Sequence, residues 1–261
     1  MLVRLKYWFF ILWLLFCISA CSTIPVTGRK ALHLYPDAKL SEMAASQFKE
    51  LKKATPLSKD PQLNAKVNRV GRKIAAVAAH DLPNAEWEFV VFDAADQINA
   101  FAMPGGKVAV YTGLFKVAKT DADLAIVIGH EIAHVVAKHG SERITQQVIA
   151  AGGALAVNLG TQKMDASDRQ LVLVGFGAAA SLGYLLPYSR LHESEADEIG
   201  ILYAAEAGYD PRVAVDFWQR MSASKESKVP EILSTHPSDS TRIRRLEAMM
   251  PEALKIYEAG R

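Results

Sequence analysis

A chain of 261 residues, half of them hydrophobic and 22% charged, carries enough apolar material for one sizeable folded domain. Its formal net charge of +2 comes from Arg4 and Lys6; the rest is balanced, and no basic stripe with interleaved aromatics argues for nucleic acid as a partner. Only two cysteines occur, Cys17 and Cys21, so the chain beyond them holds no disulfide and depends on its core and on any bound metal.

The first element is a short basic region, Arg4 and Lys6, followed by an apolar run from Tyr7 to Ile18 that is short for a membrane span. The run ends in Ile18-Ser19-Ala20-Cys21, which resembles a bacterial lipobox with Cys21 as the acylated residue. Residues 1–20 are therefore expected as a lipoprotein signal peptide, 21–35 as a lipid-anchored tether containing Pro25, Thr27 and Gly28, and 36–261 as the folded domain. Ser22 after the cysteine points to a bacterial envelope lipoprotein of the outer membrane facing the periplasm. An uncleaved anchor helix is the alternative.

Apolar residues at helical spacing predict a helix from about Asp37 to Lys53. A second starts at Asp60-Pro61, with Asp as N-cap and Pro at the first position. Trp87 to Phe92, Ile98 to Met103 and Lys107 to Thr112 read as three short strands, the last two joined by Pro104-Gly105-Gly106. Thr120, with Asp123 three residues on, caps a helix expected to reach about His139. Residues 145–159 and 170–186 are apolar and Gly/Ala-rich; the second run is expected as a buried or lid helix, with membrane insertion as the alternative. Asp210-Pro211 opens another helix, and a loop around Pro230 to Pro237 precedes a charged C-terminal helix.

The capped helix contains His130-Glu131-Ile132-Ala133-His134. Histidines four apart share one helix face and can ligate a single Zn²⁺, one per chain, with Glu131 beside it to take a proton from water. The flanking Ala125 to Ile128 make that helix apolar enough to be buried, where a lone carboxylate is costly. A hydrolytic site needs a third protein ligand. His139 lies around 140° from His134 on a continuous helix and reads as a helix-terminal or supporting residue. Glu193 and Asp197 share a face of a second helix, so one can bind metal while the other holds a ligand histidine by its spare N–H. Taken alone, Glu193, Glu195 and Glu198 read as an ordinary acidic surface. His192 is expected to point away from the ligand face.

Together, His130-Glu131-Ile132-Ala133-His134, Glu193-Ser194-Glu195-Ala196-Asp197, Asn99 to Gly106 and Thr235-His236-Pro237 resemble the HtpX and CAAX-prenyl-protease type of zinc metallopeptidase (peptidase family M48), in its periplasmic lipoprotein branch. The resemblance implies an α+β, mostly helical, gluzincin-like fold with a small antiparallel sheet packed on the active-site helix. It implies Glu193 as third zinc ligand, Asp197 behind a ligand histidine, and a strand including Asn99, Ala100, Phe101 and Ala102 that pairs with extended substrate. His236 would sit near the metal, occupying its open position at rest or, as catalytic residue, stabilising the oxyanion, with Arg242 the other candidate for that task. The expected activity is metal-assisted hydrolysis of unfolded or misassembled envelope proteins by a membrane-anchored endopeptidase. A lipid-anchored chaperone or assembly factor with a closed zinc site is the main rival, and a zinc hydrolase of small molecules the second.

Overall fold

A computed structural model describes residues 21–223, 236 and 240–261. The expected signal peptide, residues 1–20, and the loop expected around Pro230 to Pro237, apart from His236, lie outside the described residues.

The described chain opens with a two-stranded antiparallel hairpin, β1 (Cys21–Thr23) and β2 (Lys30–Leu32). This segment is not a loose tether. Ile24, just past β1, and Ala31 of β2 are buried in the main core, so the hairpin is packed on the domain.

Helices α1 (Asp37–Ala54) and α2 (Pro61–Ala78) follow as the periodicity requires. The N-cap Asp60 accepts hydrogen bonds from Gln62 N and Leu63 N at 2.8 and 3.2 Å, satisfying two of the helix's orphan donors. Val67, Val70 and Ile74 form the buried stripe of α2.

Strands β3 (Glu88–Phe92), β4 (Ala100–Met103) and β5 (Lys107–Tyr111) make the main sheet in the order β3-β5-β4. The tight turn between β4 and β5 uses Gly105 and Gly106 at φ 83° and 90°, which β-carbons would oppose. That hairpin is antiparallel, but β3 lies parallel to β5 on its other side. The sheet is therefore mixed rather than antiparallel, because β5 inserts centrally and leaves β4 as an edge.

Helix α3 (Asp121–Val136) begins with a complete capping box: Asp123 N donates to Thr120 Oγ1 and Thr120 N to Asp123 Oδ2, each at 3.0 Å. It is buried almost throughout. It stops before His139, since Lys138 adopts a left-handed conformation with φ 55°. The chain then turns into α4 (His139–Gly160), reverses, and returns as α5 (Ala166–Ala180). A π-helical turn (Ser181–Leu185) leads without a break into α6 (Leu186–Glu206). The stretch expected to be a buried or lid helix buries nothing: α5 and the π turn have no buried residue. Helices α7 (Val213–Ala223) and α8 (Ser240–Ala259) complete the described chain, with Trp218 and Phe217 of α7 fully buried.

The heart of the fold is the α3–α6 pair. Gly129 and Gly200 face each other, so close that a β-carbon on Gly200 would lie 2.7 Å from the His130 nitrogen. Two small residues bring two helix backbones into contact, and this sets the distance between the side chains that follow them.

Candidate metal centre

His130 and His134 project from α3 and Glu193 from α6, while His236 approaches from beyond α7. Their donor atoms all lie within 4.8 Å of one another. His130 Nε2 is 3.1 Å from His134 Nε2, 3.2 Å from His236 Nδ1 and 3.3 Å from Glu193 Oε2. His134 Nε2 is 3.5 Å from Glu193 Oε1, and His236 Nδ1 is 3.0 Å from Glu193 Oε2.

These separations fit a bound ion. Tetrahedral donors with bonds of ~2.1 Å stand about 3.4 Å apart. Imidazole nitrogens meeting at 3.1–3.2 Å around one carboxylate need a proton or a cation among them. The local field favours positive charge. Burial and the Arg242 guanidinium work against protonation of His130, yet Asp197 and Glu193 outweigh them and raise its pKa to about 9. Burial drives His134 well below the ordinary histidine range, keeping its ring a neutral lone-pair donor. Burial opposes the charge on Glu193, but hydrogen bonds to His130 and His236 hold its carboxylate far below the usual range.

Glu131 sits beside this cluster. Its Oε1 is buried without a hydrogen-bond partner among the described residues, with His236 Nε2 standing 3.5 Å away. A buried unpartnered carboxylate oxygen is costly unless something polar completes it.

Behind each histidine of α3 lies a separate support. His130 Nδ1 meets Asp197 Oδ1 at 2.9 Å, and the same carboxylate oxygen accepts from Arg242 Nη2 at 2.6 Å. Arg242, itself buried, stacks its guanidinium 3.4 Å from the centroid of Trp218 beside His130. Its Nη2 also stands 3.4 Å from His130 Nε2, so its charge lies close to the cluster.

His134 is held differently. The break at Lys138 folds His139 back, so its Nδ1 lies 2.8 Å from His134 Nδ1, while its Nε2 reaches Glu195 Oε2 at 3.0 Å. Burial overcomes the pull of Glu195 and lowers the His139 pKa to about 4, so the ring is neutral at pH 7. A neutral ring donating to Glu195 through Nε2 must accept through Nδ1, which orients His134 with Nδ1–H toward His139 and its Nε2 lone pair toward the other donors. Glu195 is clamped in turn by Arg29 Nη2 at 2.6 Å and Thr27 Oγ1 at 2.5 Å. Arg29 also forks onto both oxygens of Glu142 at 2.8 and 2.9 Å. His192 stacks on His139 with ring centroids 4.2 Å apart and stands 3.1 Å from Glu142.

This second layer was largely illegible. His192 is expected to point away from the ligand face, and Glu195, with its motif taken alone, to belong to an acidic surface, yet both are buried. Arg29 sits in a Pro/Gly-bearing stretch with no motif to mark it. The one usable signal was His139, whose geometry depends on the break at Lys138.

A cleft runs past Glu131, His134 and His236 along Phe101, Ala102 and Pro104, closed on the other side by Leu40 and Ser41 of α1. Of the residues expected to meet substrate, Phe101 and Ala102 line this cleft. Asn99 precedes the strand and is buried, its side chain accepting from Ala100 N at 2.9 Å, and Ala100 points into the core. Tyr111 N donates to Asn99 O, and by alternation Phe101 and Met103 pair with β5, so the peptide groups of Ala102 face outward at the edge. Cys21, the expected lipid site, is exposed at the start of β1.

The model for peptidase family M48 matches residues 61–250. The mitochondrial metalloendopeptidase OMA1 of Arabidopsis thaliana is 38% identical over 213 residues, covering 77% of this chain and 40% of that protein. The protein of the same name from Schizosaccharomyces pombe is 38% identical over 191 residues, covering 72% of this chain and 53% of its own length. A putative beta-barrel assembly-enhancing protease of Vibrio cholerae is 32% identical over 197 residues, 74% of this chain and 40% of that protein. The chain spans about half the length of the curated relatives it matches. These relatives overturn one expectation: with several of them mitochondrial by name, the placement at a bacterial outer membrane facing the periplasm does not stand.

Proposed function

This chain belongs to peptidase family M48, and on that premise we propose that it is a zinc-dependent endopeptidase that cleaves unfolded or misassembled proteins. The observation that carries the proposal is the meeting of His130, His134, Glu193 and His236 donors within 4.8 Å, beside a buried Glu131 oxygen that has no hydrogen-bond partner among the described residues.

His130, His134 and Glu193 are the zinc ligands, with one ion per chain. Zinc bound there would polarise a scissile carbonyl and lower the pKa of an attacking water. Glu131 takes the proton of that water and delivers it to the leaving nitrogen, a task suited to a buried carboxylate with an unused oxygen. Asp197 and His139 orient the two ligand rings. His236 supplies a fourth donor at 3.0–3.2 Å from Glu193 and His130, which closes the site at rest, so substrate must displace it.

An extended substrate would add as a strand to β4, pairing with the outward peptide groups of Ala102 while Phe101 lines the cleft wall. Backbone pairing is largely indifferent to sequence, which suits unfolded polypeptide. The beta-barrel assembly-enhancing proteases among the relatives support misassembled proteins as the substrate class. Attachment to a membrane through Cys21 belongs to the same proposal and rests on the sequence alone.

The test is casein cleavage measured together with bound zinc, for the full chain in detergent and for Glu131→Gln. Cleavage by the parent, loss of at least ~100-fold in the variant and about one zinc in both is the expected result. Full activity in the variant would sink the mechanism. The fourth donor favours one rival reading, a chaperone with a closed zinc site. That reading predicts zinc in both proteins, no cleavage by either, and none after His236→Ala; the gate reading predicts that His236→Ala cleaves faster than the parent.

A further inference from the structure

The longest excursion from the core is chemically uniform. Between Gln147 and Leu191 only Thr161 is buried. In α4 the buried residues stop at Gln146, and α5 packs mainly on α4. Leu155 and Leu159 of α4 and Leu171 and Val174 of α5 stand more than half exposed, as does Leu182 of the π turn. Apolar exposure on this scale marks a surface that something covers.

The spacing of charge identifies what covers it. On α4 no charged residue stands between Arg143 and Lys163; on the returning helix none stands between Arg169 and Arg190. At 1.5 Å per residue each interval is about 30 Å long. That is the thickness of a bilayer's hydrocarbon core, ~30 Å, and it occurs on both arms of the hairpin. A helical hairpin satisfies its own backbone hydrogen bonds, as hydrocarbon demands. The arms meet through small residues: Phe176 fills the space beside Gly153, where a β-carbon would come within 2.8 Å of its ring. Asn158, near the tip, bonds Arg169 Nη2 at 2.5 Å, and Lys163, Asp165 and Asp168 complete a polar cap. At the base, the Tyr184 and Tyr188 rings stand 5.2 Å apart, the amphipathic type that sits at a membrane–water interface.

A second observation is independent of the hairpin. Cys21 lines one cleft together with Ile149, Tyr184 and Tyr188. The apolar sequence Tyr7 to Ile18 therefore joins the fold at the hairpin's base, as would any acyl chain on Cys21. Cys21 and the base of the hairpin thus share one edge of the domain. A protein partner would require neither the matched charge-free intervals nor this convergence.

We propose that the α4–α5 hairpin inserts across a lipid bilayer, with the 163–169 tip in the far headgroup layer and Tyr184 and Tyr188 at the near one. Arg143, at the hairpin's base, also lines the substrate cleft. Insertion thus holds the cleft mouth at the membrane surface, where it meets chains emerging from the bilayer.

The test uses the full chain in vesicles of phosphatidylcholine with a minority of phosphatidylglycerol, compared with the double variant Leu155→Arg, Val174→Arg. Exchange is read on the vesicle-bound fraction of each protein, and both sites are exposed, so the domain still folds. Amide exchange across residues 148–186 should be at least about tenfold slower in the parent than in the variant, with α3 unchanged. Lys163 should resist an impermeant amine reagent in the parent and react in the variant. Equal exchange in the two proteins, or protection that follows protein rather than lipid concentration, overturns the proposal; the latter would assign the hairpin to a protein interface.

Discussion

Replacing Gly200 with alanine tests whether the backbone contact between α3 and α6 builds the metal centre. The new β-carbon would lie 2.7 Å from the His130 nitrogen and 2.9 Å from its α-carbon. Those are backbone atoms, so no side chain can swing aside, and ordinary contact requires the helices to part by roughly 0.7 Å. Overpacking of this kind costs about 1–3 kcal/mol, and the better helix propensity of alanine returns up to about 1 kcal/mol. The net loss is thus about 0–3 kcal/mol, at most roughly 10 °C in unfolding midpoint for a chain of this size. Metal affinity is the sharper readout. His130 Nε2 and Glu193 Oε2, 3.3 Å apart, face each other across this contact, and metal bonds tolerate only ~0.2 Å. Gly200→Ala should weaken zinc binding at least about tenfold, measured by competition with a chromogenic chelator alongside thermal unfolding. Gly152→Ala, with nothing within 4 Å of the new atom, is the control and should leave zinc affinity unchanged. Unaltered zinc affinity with a raised unfolding midpoint in Gly200→Ala would show that helix propensity alone matters there, and would refute the reasoning.

Glu195→Gln should reduce zinc affinity by about 10–100-fold while leaving His130, His134 and Glu193 in place, because His139 loses the charge that fixes its orientation; a shifted visible spectrum of the cobalt-loaded protein separates this from simple destabilisation. Arg29→Gln should remove stability that the parent holds above pH 4.5 and loses in acid. Burial acts to raise the pKa of Glu142 and of Glu195, but hydrogen bonds outweigh it and hold both near 2, from His192 and Arg29 on Glu142 and from His139, Arg29 and Thr27 on Glu195. Carboxyls depressed on folding contribute stability that is fully present above their unfolded value of 4.5 and is lost as pH falls toward 2. Without Arg29 both rise toward the ordinary range, so the variant should unfold at a lower midpoint than the parent already at pH 6, and the gap should close as pH falls from about 4.5 toward 2; a gap that stays constant across that range would mean that Arg29 does not set these carboxyls.

Much of the architecture was legible because its signals are local. Asp60-Pro61 and Thr120 with Asp123 announce helix starts through groups that bond within one turn, and the structure forms both caps. The spacing of His130, Glu131 and His134 places them on one face through helix geometry alone. Glu193 and Asp197 are likewise one turn apart, and the structure brings them to that face. The helix end at Val136 was missed because nothing local forces Lys138 into a left-handed conformation. The apolar run 170–186 was assigned to the interior because composition states that a segment avoids water, not whether protein or lipid replaces it.

By itself, then, the sequence determined the donor types, their spacing along each helix and the mostly helical fold, all properties of short stretches of chain. Only the tertiary structure decided how far apart the two ligand helices stand, which buried groups hold the ligand rings, and that the N-terminal segment supplies Arg29 to that support. These are distances between residues 56 to 166 positions apart, set by two glycines in contact and by a buried ion-pair network. No local propensity encodes such distances, because they exist only once the surfaces meet.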